Sequence, residues 1–149
     1  MNNLLEMKHV AVNFAAYGGT VQAVRDISFS IEEGQTVALV GESGCGKSIT
    51  AKSIMGLVKR PGKIMDGSQI IFEGTDIAKY SPKEWKKFRG KESSMIFQDA
   101  LVTLNPTMKI GKQIMESLDN HAATISKEEK KKKVIDMLKL TGIADAENC

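Results

Sequence analysis

With 149 residues, 42% of them hydrophobic and 26% charged, and a net charge of +3, the chain has the size and composition of about one soluble globular domain. The weak, dispersed charge argues against a nucleic-acid partner, and the lysine run at 130–133 is read as a solvated helix face. No apolar run approaches the roughly 20 residues of a membrane span, the first ten residues lack a secretory pattern, and Cys45 and Cys149 are expected to be free thiols in a reducing compartment.

In chain order, residues 4–14 alternate imperfectly between apolar and polar. Residues 26–31 alternate cleanly, with Ile27, Phe29 and Ile31 on one face and Ser28 and Ser30 on the other, as in a half-solvated antiparallel strand. Gly18-Gly19 and Glu33-Gly34 mark the turns on either side. Residues 37–40, Val-Ala-Leu-Val, are continuously apolar, which predicts a strand buried on both faces. Beyond a glycine cluster, Ala51, Ile54, Met55 and Val58 share one face of a helix that Arg60-Pro61-Gly62 ends.

A second short strand is expected in "GSQIIFEGTDI" (67–77), bounded by Asp66-Gly67 and Gly74. Ser81-Pro82-Lys83-Glu84 is a helix start with a serine cap, proline at the first position and a glutamate placed for a capping box. Trp85 and Phe88, three apart, anchor that helix to the core. "SSMIF" (93–97) predicts a third strand and "QDALVTLNPTM" (98–108) a loop. Helices follow over 110–120 and 127–140, the second opened by a capping box from Ser126 to Glu129. His9 and His121 lack catalytic neighbours in sequence and are expected at the surface. No internal repeat or low-complexity linker is present.

Between the predicted strand and helix, Gly41-Glu42-Ser43-Gly44-Cys45-Gly46-Lys47-Ser48 fits G-x-x-x-x-G-K-[ST]. A polyphosphate concentrates negative charge in a small volume, and backbone N–H groups can converge on it where no Cβ intervenes. The following helix adds its unpaired amides and the positive end of its dipole. Lys47 is assigned to the β- and γ-phosphates and Ser48 to Mg²⁺. This loop alone is compatible with a nucleotide kinase, a GTPase or a transport ATPase.

Taken together, "GESGCGKS", "GSQIIFEGTDI" and "MIFQDALVTLNP" closely resemble the ATP-binding subunits of ABC transporters, most of all the branch importing oligopeptides, dipeptides and nickel. The stretch "AVRDISFSIEEGQTVALVGESG" is similar to that family as well. The resemblance implies an α/β fold, part of a P-loop NTPase (ABC ATPase) core. Its parts would be an antiparallel β region over 1–35, a P-loop core portion over 36–107 and the start of the helical subdomain over 108–149. It implies binding of ATP and Mg²⁺ by Gly41, Glu42, Ser43, Gly44, Cys45, Gly46, Lys47, Ser48 and Ile49. Gln98 would be the glutamine that reaches Mg²⁺ and the attacking water, so that Lys47 and Gln98 carry catalysis and Ser48 and Gln98 the metal. Phe14 matches the aromatic position that stacks on adenine, with Tyr17 as its rival. Implied partners are transmembrane permease subunits and a second ATPase subunit. The implied location is cytoplasmic, peripheral on the inner face of the membrane, with no insertion into it. Ala100 and Thr103 depart from the family pattern.

The family's second half supplies an LSGGQ motif, a Walker B strand and a switch histidine. None of these occurs here: there is no Ser-Gly-Gly, and "KVID" (133–136) has too few apolar residues for Walker B. Phosphoryl transfer depends on such positioned charges, so nucleotide binding without useful hydrolysis is expected of these residues alone. Residues 37–40 are expected to show unpaired edges and an uncovered apolar face. Two alternatives are a non-catalytic module that binds an intact transporter and a small P-loop kinase using Asp99 for Mg²⁺.

Overall fold

The computed structural model describes residues 3–98, 104–122 and 124–148, so Asp99, Ala100, Thr103 and Cys149 lie outside the described residues. The chain divides into two compact units, one up to Lys86 and one from Lys87 onward.

The first unit is built on an antiparallel sheet. β1 (Asn3–Ala16) pairs along its length with β2 (Gly19–Glu32), and its other edge takes β4 (Gln69–Phe72) near its start and β3 (Gly62–Ile64) near its end; β5 (Thr75–Asp76) completes the sheet beside β4. The imperfect alternation in β1 has a physical cause. Leu5 and Met7 face the core, then His9 adopts φ 50° and the pairing with β2 shifts between Met7 and Val10. That bulge moves the inward phase by one residue, so Val10 and Val12 face the same side as Leu5 and Met7. All four are buried, together with Val24, Ile70 and Ile77. In β2 the expected faces appear, with Ile27, Phe29 and Ile31 half-buried and Ser28 and Ser30 exposed.

The strand expected between Gly67 and Gly74 forms as β4, and Glu73 and Gly74, both at positive φ (45° and 79°), make the two-residue turn that leads on into β5. Asp76 closes it, accepting from the N–H groups of Ile70 (3.3 Å) and Ala78 (3.2 Å) and pairing through Oδ2 with Lys79 at 2.9 Å. Burial pushes this carboxyl's pKa up, but Lys79 and the two amides outweigh it and hold it below the ordinary aspartate value.

Helix α1 (Lys47–Ile54) is shorter than the apolar spacing suggests. Its buried residues are Thr50 and Ser53, Met55 caps its end, and Val58 lies beyond it. α2 (Pro82–Phe88) opens as expected, Ser81 N–H donating to Glu84 Oε2 at 2.7 Å and Glu84 N–H to Ser81 Oγ at 3.4 Å. Trp85 lies against Gly56 and meets Tyr80 edge-on at 5.5 Å, and Phe88 is buried.

Two expected strands do not form. Residues 37–40 pair with no strand and are exposed: Val37 is 44%, Leu39 48% and Val40 89% accessible. A buried strand needs neighbours on both edges, and among the described residues no strand pairs with this segment on either edge. The edges and apolar face thus lie uncovered, as the family resemblance leads one to expect. Residues 93–97 likewise make only one isolated bridge, Arg89 to Ser93, and Ile96 and Phe97 are exposed.

The second unit contains α3 (Ile110–His121) and α4 (Lys127–Leu140), packed around buried Val134, Leu138 and Ala146 with Ile110, Ile114 and Leu118. Ser126 and Glu129 form the expected capping box. The lysine run is not uniformly solvated. Lys130 is buried and pairs with Asp119 at 2.9 Å across the helix pair, whereas Lys131, Lys132 and Lys133 are exposed.

Candidate nucleotide site

The glycine loop joins the exposed segment 37–40 to α1, and its shape follows from a few residues. Gly44 and Gly46 take φ values of 83° and 97°, and Gly46 is the N-cap of α1. A Cβ at Gly46 would lie 2.5 Å from the carbonyl oxygen of Ala23 and 3.3 Å from Val24. Glycine is thus required there twice over, by backbone conformation and by the approach to β2.

Behind the loop, Thr50 donates its N–H (2.8 Å) and hydroxyl (3.0 Å) to the Gly46 carbonyl, and Ser53 donates its hydroxyl to Ile49 at 2.8 Å. Both side chains are buried and pin the first turn. They escaped the reading of the sequence, although short hydroxyl residues just inside a helix are the residue type that bonds back to the preceding turn.

Lys47 is the centre of the site. Its ammonium donates to the carbonyls of Gly41 (2.7 Å) and Glu42 (2.6 Å) and lies 3.5 Å from Cys45 Sγ. The charge is therefore held over the loop rather than extended into solvent. Within the loop, Cys45 N–H donates to the Glu42 carbonyl at 3.3 Å. The amides of Gly44, Gly46, Lys47 and Ser48 have no backbone acceptor among the described residues. The result is a run of main-chain donors without backbone acceptors at the positive end of a helix, with the Lys47 cation bonded to carbonyls of the same loop. The Ser48 hydroxyl is exposed and Cys45 is an exposed free thiol.

The other expected site residues belong to other elements. Phe14 is half-buried in β1, and its ring lies on Gly62, where an added Cβ would come within 2.5 Å of it. Tyr17 stands at the β1–β2 tip, fully exposed. Gln98 is exposed in the second unit. His9 and His121 are exposed, as expected; His9 faces Asp26 at 3.2 Å. No described helix is long and apolar enough to cross a membrane.

Comparison with known proteins gives a consistent result. The family model described as ABC transporter matches residues 24–148. The oligopeptide transport ATP-binding protein OppD of Bacillus subtilis is 49% identical over 143 residues, covering 96% of this chain and 40% of that protein. The dipeptide transport ATP-binding protein DppD of Lactococcus lactis is 46% identical, covering 97% of this chain and 41% of that protein. The chain thus spans about two fifths of the length of these relatives. Among solved structures, a dimeric bacterial ABC transporter cassette superimposes with a TM-score of 0.78 at 21% identity, covering 95% of this chain and 58% of that one. A post-hydrolysis cassette dimer bound to ADP and Pi gives 0.75 at 20% identity with the same coverage. These likenesses establish the fold as that of an ATP-binding cassette, and the chain belongs to the ABC transporter family.

Proposed function

We propose that residues 41–48 bind the triphosphate of ATP with Mg²⁺, in a subunit whose ATP hydrolysis powers the import of peptides or a related solute. The observation that carries this reading is Lys47, fixed by the Gly41 and Glu42 carbonyls beside the free amides of Gly44, Gly46 and Ser48. An anion placed there meets several main-chain donors and, once the long 3.5 Å contact of the Lys47 ammonium to Cys45 Sγ is given up, a charge-assisted one. The donor set also fits the metal. The Ser48 hydroxyl stands exposed at the first turn of α1, next to where the terminal phosphates would lie, and Mg²⁺ is commonly held by few protein groups plus phosphate oxygens. When bound, the ion neutralises developing charge on the phosphates.

In the same reading Ile49 lines the phosphate end, and Phe14, its ring fixed on Gly62, offers adenine a firmer platform than fully exposed Tyr17. Gln98 is assigned to the metal and the attacking water. Its partners would be membrane-embedded permease subunits and a second ATPase subunit, and its place the inner face of the membrane. Membership of the ABC family leaves no reason for the small-kinase alternative. These 149 residues contain no Ser-Gly-Gly, and the apolar runs that lead directly into Asp, such as Val134-Ile135 before Asp136, are too short for Walker B, so nucleotide binding without turnover is expected of them.

Equilibrium titration with Mg·ATP, beside a phosphate-release assay, tests the proposal. Saturable binding that weakens about 10- to 100-fold in Lys47→Ala, the loss of one charge-assisted contact, is expected, with no Lys47-dependent phosphate release. Equal binding by the variant would overturn the assignment of the site. A second reading, a non-catalytic module docking on an intact transporter, draws on the uncovered apolar side chains of Val37, Leu39 and Val40. Co-purification with a permease subunit in the absence of hydrolysis would favour it.

A further inference from the structure

The second unit holds a cleft of about 370 Å³ between α3, α4 and the segment 146–148. That volume lies at the lower end of the range for small-ligand sites. Its floor is apolar, made by Met115, Val134, Ile135 and Ala146, and its rim carries Lys109, Lys112, Lys127 and Lys131. Glu147 is the one acidic residue of the lining, and it is paired with Lys139 at 3.3 Å. Lys109 donates to the Asn148 carbonyl at 2.7 Å. Lys112, Lys127 and Lys131 have no ion-pair or hydrogen-bond partner for their ammonium groups among the described residues.

Folding gives no reason for this placement. Lys109 is the N-cap of α3, Lys112 lies in its first turn where no acidic residue occurs, and Lys127 is the first residue of α4. Each cation stands at the positive end of a helix, where the dipole disfavours it. Of the two acidic residues in the first turn of α4, Glu129 is committed to the capping box with Ser126, and Glu128 forms no ion pair with a lysine of the cleft among the described residues. Positive charge is therefore gathered around an apolar hollow, with Lys112, Lys127 and Lys131 in no ion pair among the described residues. Lysine supplies a mobile point charge rather than a planar fork, which suits a head group whose orientation is set by the apolar part of the ligand.

We propose that this cleft binds an amphipathic organic anion, with its carboxylate or phosphate head among Lys112, Lys127 and Lys131 and its apolar body on Met115 and Ile135. The site is separate from the nucleotide loop and independent of the reading given to it.

The test uses the full chain, labelled with ¹⁵N, and octanoate below its micelle concentration as the probe. Octyl phosphate distinguishes the two head groups, while octanol and inorganic phosphate each offer half of the proposed chemistry. Saturable amide shifts in α3 and α4 are expected with octanoate or octyl phosphate, and at least tenfold weaker binding of octanol and of inorganic phosphate. Lys112→Ala with Lys131→Ala should weaken binding at least tenfold. Lys132→Ala with Lys133→Ala, two exposed lysines outside the cleft, should leave it unchanged. Octanol or inorganic phosphate binding as tightly as the amphiphiles, an equal loss in the control pair, or no saturable shift would overturn the proposal.

Discussion

β1 and the segment 37–40 are both rich in branched apolar residues, yet they meet opposite ends. β1 is paired on both edges and buries Val10 and Val12 completely, while Val40, leading into the phosphate loop, is 89% accessible and unpaired. Apolar sequence dictates burial only where neighbours exist to provide it. In the first unit the stability lies in the bulged sheet, and the glycine loop is held by other means. Gly46 rests on Ala23 and Val24 of β2, Thr50 grips the Gly46 carbonyl, and Lys47 grips two more. The loop can thus be ordered even though the segment feeding it is not packed.

This contrast can be broken by substitution. The largest effect on stability should come from Ile70→Ala. Its side chain is wholly buried between β1 and the following turn, and its truncation should cost about 2–5 kcal/mol in chemical denaturation. Next comes Gly46→Ala, which forces an L-residue into φ 97° and drives a Cβ onto the Ala23 carbonyl. A loss of roughly 1–3 kcal/mol is expected, together with weaker Mg·ATP binding, measured by denaturation and titration of the same preparation.

Asp76→Asn sharpens the comparison from the side of pH. Because the folded carboxyl has its pKa lowered from the ordinary 3.8, it contributes stability that is fully present above that value and is lost as pH falls through the folded value. Near neutral pH the variant should be less stable by about 1 kcal/mol, the scale of a hydrogen bond to a charged group at a partly solvated site. The gap between the two proteins should close as the pH is lowered below 3.8. A gap that widens there would contradict the sign. The smallest effect should be Val40→Ser, within about 0.5 kcal/mol, as for exposed positions generally. A cost comparable to that of Ile70→Ala would show that segment 37–40 is packed in solution after all.

The parts of the molecule legible in the sequence were those set by local chemistry. The Ser81–Glu84 and Ser126–Glu129 boxes, the β2 alternation and the glycine loop each depend on residues a few positions apart, and the structure shows the boxes and the alternation directly. What stayed hidden depends on distant neighbours. The phase shift at His9 is fixed by the pairing of β1 with β2, and the exposure of Val37 and Leu39 by the lack of a pairing strand among the described residues. The burial of Lys130 depends on Asp119 from the other helix. At the candidate site the eight-residue loop was readable, and the bonds of Thr50 and Ser53 to carbonyls four residues back are local enough to carry a signal, whereas the seat of Gly46 on Ala23 and Val24 was not, because it arises where α1 meets β2.

The most direct test of the central claim, that main-chain amides of residues 41–48 receive a triphosphate, is a ¹⁵N–¹H spectrum of the chain titrated with Mg·ATP. Large saturable shifts at Gly44, Gly46, Lys47 and Ser48, absent in Lys47→Ala, are the expected result. A spectrum in which those amides stay still while others move, or in which nothing moves, would contradict it.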